Sequence, residues 1–356
     1  MTVRRAPGKL YVAGAYAVVE PGHRALLVAV DRFLTVRVGP GSGQVRSAAY
    51  PGGSRRWRRG PDGTAEPVHG RLDYVISAVR TVEALVTEAG GELGPYDLEL
   101  VSDLDDPDGR KLGLGSSAAA TVATVRAVAA WYRLSLDDHA VYRLALLASD
   151  TVQPVGSGGD LAASALAGWV SYASPDRDWL RQARRRSSCT ELLGATWPGL
   201  RLRRLTPPAG LRLLVGWTGA PASSADLVSG VQAWGQARDQ GRYRAFQDSS
   251  EACLQGLEEA LTSGDLDAVA RLVAENRRLL AELGRLSQTT IETPALTRLI
   301  EIAAAHGAAA KTSGAGGGDC GIALCPPGTD LDAVRADWRA AGITPLDLTV
   351  HTEEES

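Results

Sequence analysis

Two long apolar runs open the chain. Leu10 to Val19 and Ala25 to Val38 are rich in valine and leucine, and the turn Glu20-Pro21-Gly22 joins them, so they read as a pair of strands. Residues 39–70 are rich in Gly, Pro and Arg, the pattern of hairpins and a loop. From Leu72 to Ala89 apolar positions recur at helical spacing (Val75, Val79, Val82, Val86), and Gly90-Gly91 ends the helix. Asp97 to Asp103 alternates as a strand does. Ser116 to Tyr132 is small, apolar and free of Gly and Pro, which predicts a buried helix. A further helix is expected over Asp137 to Asp150 and a strand over Gly168 to Ala173.

Residues 174–209 interrupt this pattern with Arg184-Arg185-Arg186 and Pro207-Pro208. A domain boundary is expected within them, dividing the chain into 1–190 and 191–356. The second half begins with a strand at Leu211 to Trp217. Amphipathic helices are expected near 244–263, 265–284 and 293–306, then a glycine-rich strand pair and a last helix near 330–341. No repeat of fixed period is present.

Composition narrows the function classes. Of 356 residues, 44% are hydrophobic and 22% charged, which is the balance of a folded protein, and the formal net charge is -3. No global basic field draws this chain to nucleic acid or to an anionic membrane, so a small molecule is the expected partner, met by a few placed cations. Arg55, Arg56, Arg58 and Arg59 around Trp57 read as a solvated loop, because no second basic or aromatic stripe accompanies them. No apolar run nears the roughly 20 residues of a membrane span, and no leader pattern opens the sequence. Cys189, Cys253, Cys320 and Cys325 have neither disulfide-framework nor zinc spacing, so a reducing cytoplasm is expected. A monomer or a homodimer fits this composition.

Lysine use changes the picture. Lysine and arginine total 38, yet only Lys9, Lys111 and Lys311 are lysine, and each lies in or beside a glycine-rich stretch. An ammonium is a compact point charge that a planar guanidinium does not replace everywhere, so the coincidence points to function.

Lys111-Leu-Gly-Leu-Gly-Ser-Ser-Ala-Ala-Ala runs directly into the expected buried helix. Gly113 and Gly115 permit close backbone approach, and Ser116 and Ser117 stand where free N–H groups and the positive end of the helix dipole face outward. Such a site suits nucleotide phosphates, and a serine hydroxyl there reaches a magnesium ion. The same letters also describe a glycine turn capped by serine. The stretch is not a Walker A loop, because Lys111 precedes the glycines, and it lacks the third glycine of a dinucleotide fingerprint. A second glycine-rich stretch, Lys311 to Gly321, offers backbone N–H groups to a ligand or forms a tight hairpin. The third is Ala6-Pro-Gly-Lys9-Leu-Tyr, near the N-terminus.

Taken in order, APGKLYVAGAYAVVEPG, GLGSSAAA and SGAGGGDCGIAL resemble the three motifs of the GHMP kinases, and the similarity spans roughly residues 5–325. The resemblance implies an α+β fold: an N-terminal domain like domain 2 of ribosomal protein S5, then the C-terminal α+β domain of that family. It implies ATP with Mg²⁺ at the central motif, through Lys111, Gly113, Leu114, Gly115, Ser116, Ser117 and Ala118, with Ser117 toward the metal. Lys111 before LGLGSS, GSGGDLAAS at 156–164 and VGWTGAPASS at 215–224 resemble the branch whose acceptor is 5-phosphomevalonate. On that resemblance Lys9, Asp160 and Lys111 are expected to be catalytic. Tyr16, Glu20, Ser157, Ser224, Ser313, Gly314, Ala315 and Gly316 are expected, with Lys9, to bind the acceptor. Where many family members carry a glutamate after the glycine of the first motif, this chain has Ala15.

Phosphoryl transfer is mostly positioning and charge stabilisation. A phosphate acceptor has a second pKa of about 6 and is already largely deprotonated at neutral pH, so the demand falls on cations rather than on a base. Lys9 is therefore expected to carry the central electrostatic role and Asp160 to orient it or the metal. From sequence alone Asp160 also fits the N-cap of a helix over LAASALAG, and Ser223 and Ser224 the cap of a helix that follows them.

Overall fold

The computed structural model describes residues 1–352 apart from Leu72, Pro107 and Val155. Leu72, the expected start of the first helix, lies outside the described residues.

The first half folds on one long strand. β1 (Thr2–Ala13) pairs antiparallel with β2 (Arg24–Pro40) along most of its length. The expected strand through Val19 stops earlier, at Ala13. Gly14 has φ +83° and packs where a Cβ would meet the Arg24 carbonyl at 2.3 Å, so the chain turns there and a 3-10 turn covers Ala17–Val19. Residues 44–67 form a small meander of β3 (Gln44–Ser47), β4 (Ser54–Arg59) and β5 (Ala65–Pro67). The arginine cluster expected in a loop is thus a strand. Trp57 is buried on the Tyr96 ring, Arg55 pairs with Asp73 and Arg59 with Glu83.

Helix α1 (Tyr74–Glu88) crosses to β6 (Tyr96–Ser102), which runs parallel to β3 and antiparallel to β2. Then come α2 (Ser116–Trp131), α3 (Asp138–Val152), α4 (Gly159–Leu166) and β7 (Trp169–Ala173). The polar interruption holds α5 (Arg177–Ala183), α6 (Cys189–Gly194) and β8 (Arg201–Leu205), and β8 completes the first sheet against β7. The 190/191 division drawn from sequence falls within α6, ahead of β8 and of the change of sheet at residues 206–211. Small residues let α2 lie in the middle of the helical layer, where it packs on β1, α1 and α3 and buries Ala119, Val122, Ala123 and Val125.

The second sheet has the order β10-β11-β9-β12, formed by β9 (Arg212–Trp217), β10 (Ala309–Thr312), β11 (Cys320–Cys325) and β12 (Thr344–Leu346). Four helices lie between β9 and β10: α7 (Ser224–Ala237), α8 (Gln240–Ser263), α9 (Leu266–Ser287) and α10 (Pro294–Ala305). α11 (Leu331–Ala340) follows β11. One continuous core runs from β1 and β2 through α8 and α9, while Trp338, Leu299, Ile300 and Val334 form a second cluster beside this sheet. No described helix is long and apolar enough to cross a membrane.

Candidate active site

A cleft of about 450 Å³ opens where the two sheets meet. Its walls come from β1, the segment after it, the loop before α2, the start of α4, the segment before α7 and the glycine-rich loop between β10 and β11. These pieces are far apart in sequence, and β1 is what brings them together. The Tyr11 amide donates to Ser313 Oγ at 3.0 Å, and that hydroxyl donates back to the Tyr11 carbonyl at 3.1 Å. The Lys9 amide donates to the Leu114 carbonyl at 2.9 Å, and Ser164 Oγ to the Pro7 carbonyl at 2.8 Å. One strand, which carries the N-terminal motif, thus docks the other two glycine-rich motifs and α4.

Lys9 sits deep in this arrangement, only 9% exposed. Its Nζ donates to the Gly113 carbonyl at 3.1 Å and lies 3.5 Å from Asp160 Oδ2 and 5.6 Å from the Tyr11 ring centroid. The stem passes under Gly115, where a Cβ would stand 2.8 Å from Lys9 Cε. With φ +81°, Gly115 is also left-handed. Gly115→Ala is expected to push Lys9 off the Gly113 carbonyl and lower kcat by roughly tenfold or more, with a smaller loss of stability near 1 kcal/mol. Steady-state kinetics beside a thermal melt separate the two effects.

The loop before α2 alternates by design of its side chains: Leu112 and Leu114 are buried, which leaves the backbone of Gly113 and Gly115 on the cleft. Gly115, not a serine, is the N-cap of α2, and no side chain caps the helix. The serine-cap alternative therefore does not hold, and Ser116, Ser117 and Ala118 present the first turn of α2 to the cleft. Lys111 lines the same wall, and its backbone forms an isolated antiparallel β-bridge with that of Asp105. Burial raises the Asp105 carboxyl pKa, and Lys111 opposes that rise.

Asp160 is not a cap either. Gly158 caps α4 with φ +83°, and Asp160 stands in the first turn facing Lys9. Ser157 Oγ accepts from the Gly159 amide at 3.1 Å and shares a 3.0 Å hydrogen bond with the Tyr11 hydroxyl. Burial first, then Asp160, pushes the Tyr11 hydroxyl well above its usual range, so Tyr11 stays protonated. Tyr16 has φ +67°, an uncommon conformation for a bulky residue, and donates to the Ala315 carbonyl at 2.5 Å. Ser223 caps α7, and Ser224 is its first residue. Ala15 is buried and gives the cleft an uncharged wall at that point.

The cleft brings together Lys9, Tyr16, Lys111, Gly113 to Ala118, Ser157, Asp160, Ser224 and Ser313 to Ala315. Two expected positions are placed elsewhere. Glu20 accepts from Gln232 and from the Tyr243 hydroxyl, which ties its turn to α7 and α8. Gly316 packs against the Ile291 carbonyl, away from the lining. Of the three lysines, Lys311 does not reach the cleft: it is fully buried in β10. Lining side chains that pass unnoticed in the sequence include Tyr11, Asp105, Gln153 and Asp319. For Asp319 a signal exists, since it is the only charge between Ser313 and Gly321.

Family comparisons agree with this layout. The model of the GHMP kinase N-terminal domain matches residues 73–168, and that of the C-terminal domain matches residues 257–344. A phosphomevalonate kinase of Streptomyces sp. (strain CL190) is 44% identical over 98% of this chain and 96% of its own length. A mevalonate kinase of Pyrococcus abyssi is 27% identical over 99% of this chain and 96% of its own. Among solved structures, a phosphomevalonate kinase of Streptococcus pneumoniae in complex with phosphomevalonate and AMPPNP superposes with a TM-score of 0.85 at 29% identity, covering 98% of this chain and 99% of that one. With both domains matched in order around a cleft lined by all three motifs, the protein belongs to the GHMP kinase family.

Proposed function

We propose that this chain transfers the γ-phosphoryl group of ATP to (R)-5-phosphomevalonate, giving (R)-5-diphosphomevalonate and ADP. The observation that carries the reading is the full-length 44% identity to a phosphomevalonate kinase, joined to a cleft that gathers the motifs expected to handle two phosphates. An oxygen of the acceptor phosphate attacks the γ-phosphorus. The bond from that phosphorus to the β,γ-bridging oxygen breaks, and ADP leaves with the electron pair. No proton need be removed from a largely deprotonated monoester, so mutual repulsion of the anions is the main barrier.

Each part of the cleft answers that repulsion. The first turn of α2 and Lys111 receive the ATP phosphates. Lys9, fixed between Gly113 and Asp160, stands where charge concentrates as the phosphoryl group passes. Ser157, Ser224 and the backbone at Ser313 to Ala315 hold the acceptor, with Tyr16 supporting that loop. Among the described residues no three His, Cys, Asp or Glu side chains cluster to hold a metal. That fits Mg²⁺, which keeps several waters and takes one or two protein ligands beside substrate phosphates. Ser117 and Asp160 would hold it, and it would neutralise the β and γ oxygens. The cysteines are free thiols, which suits a reducing cytoplasm.

ADP release with MgATP and, separately, mevalonate, 5-phosphomevalonate and 5-diphosphomevalonate tests the reading. Turnover confined to 5-phosphomevalonate is expected. Turnover on mevalonate instead would retain the family and replace the acceptor.

A further inference from the structure

Asp319 stands in the glycine-rich loop, and the transfer scheme gives it no task. Its backbone has φ +50°, a left-handed conformation that aspartate and asparagine tolerate better than most residues. Four hydrogen bonds hold it there. The Asp319 amide donates to the Ala220 carbonyl at 2.7 Å, and the Asp319 carbonyl accepts from the amide and hydroxyl of Thr218 at 2.9 and 3.0 Å. The Ala222 amide donates to Oδ1 at 3.1 Å. The other carboxylate oxygen faces the ATP-phosphate loop: a Cβ on Gly113 would lie 2.8 Å from Oδ2. Burial raises the Asp319 carboxyl pKa, and the Ala222 amide, Lys9 and Lys111 pull it back. A strained backbone over-determined by its neighbours, at the meeting point of two substrate loops, is a sign of function.

We infer that Asp319 is a positioning residue for the acceptor: its carboxylate latches residues 218–223, and through the Ser223 cap also Ser224, onto the phosphate loop at Gly113. Residues 218–223 have no regular structure between β9 and α7. Without the latch this wall is ordered at the moment the acceptor binds, and part of the binding energy is lost to ordering it. The α2 end of the cleft is fixed independently, by the helix and by the Lys9–Leu114 backbone bond. The latch therefore acts on the acceptor and leaves ATP alone. This inference rests on the functional reading above for the identity of the acceptor.

Two variants test it. Asp319→Gly removes the carboxylate and is at ease at positive φ, so the backbone bonds remain. Asp319→Asn removes the charge but keeps an oxygen for the Ala222 amide. Asp319→Gly is expected to raise KM for 5-phosphomevalonate about tenfold while KM for MgATP moves less than about twofold. Amide exchange of residues 218–224, followed in the full chain by mass spectrometry, is expected to quicken in the same variant. Asp319→Asn is expected to recover most of the KM and the protection. Unchanged KM and exchange in Asp319→Gly, or an Asp319→Asn variant as impaired as Asp319→Gly, would overturn the latch. The exchange arm needs no acceptor. If the wild type does not turn over 5-phosphomevalonate but the exchange pattern appears, the acceptor assignment falls and the latch stands.

Discussion

Lys9→Met is expected to lower the single-turnover rate by on the order of 10²–10³-fold, the loss of one preorganised donor worth about 2.7–4 kcal/mol at the transition state. The geometry explains why so much would rest on one ammonium. Lys9 is nearly buried and pinned by the Gly113 carbonyl at 3.1 Å and by Asp160 at 3.5 Å, so its charge does not need to be ordered during the reaction. Low local dielectric magnifies its effect on passing phosphate oxygens. Methionine keeps the stem that packs beneath Gly115 and removes only the charge, so the thermal melt is expected to change little. Asp160→Asn is expected to cost less, because the amide oxygen still meets the ammonium and the acceptor needs no base. Rapid-quench measurement of the two variants ranks the roles. A larger loss in Asp160→Asn would move the central step from Lys9 to Asp160.

Lys311→Met is expected to stabilise the protein, and to do so most at low pH. The Lys311 ammonium is fully buried, and its Nζ donates to the Thr312 carbonyl at 2.6 Å. Burial pushes its pKa down to about 7, with Cys253 and Glu292 offsetting only part of the shift. An unfolded lysine titrates near 10.4. Between about 7 and 10.4 the unfolded chain therefore binds a proton that the folded chain has released, and stability rises with pH through that window. Below about 7 both states are protonated and the full penalty of a buried charge applies, roughly 5 kcal/mol. Methionine removes the penalty at similar volume. Urea denaturation at pH 6 and pH 9 is expected to show the variant ahead at both, with the gap smaller by about 3 kcal/mol at pH 9. A gap that does not depend on pH would mean that the folded chain keeps Lys311 protonated across that range, as the unfolded chain does.

Lys311 also shows how far the lysine argument reaches. Rarity and glycine neighbours single out three residues, yet two line the cleft and the third is core. Position along β10 decides this. Lys311 opposes Ile322 of β11, and its side chain enters the packing beside Cys253 on α8, whereas Ser313, past the end of β10, meets Tyr11. Strand alternation has period two, but which face meets the core is set by the partner layer and not by the strand itself.

The cap assignments divide in the same way. Serine and aspartate at the start of α2 and α4 are good caps by propensity, but glycines in the left-handed conformation take those places. The polar groups are thereby released toward the cleft. At α7, where no phosphate loop is needed, Ser223 caps as propensity suggests.

By itself the sequence determined most of the longer helices and strands, their order and the three motifs, because apolar periodicity and glycine placement are local properties that survive any packing. It also offered candidate residues whose chemistry suits two phosphates. Only the tertiary structure decided which of those residues share one space. β1 docks the loop before α2, the start of α4 and the loop before β11, and that docking gathers Lys9, Lys111 and Asp160 while leaving Glu20 and Gly316 outside. It also placed Asp319 against Gly113, a contact between residues more than two hundred positions apart, for which composition and spacing hold no record. Long-range contacts depend on how whole layers pack, and a single chain read along its length carries the letters of such a contact without its distance.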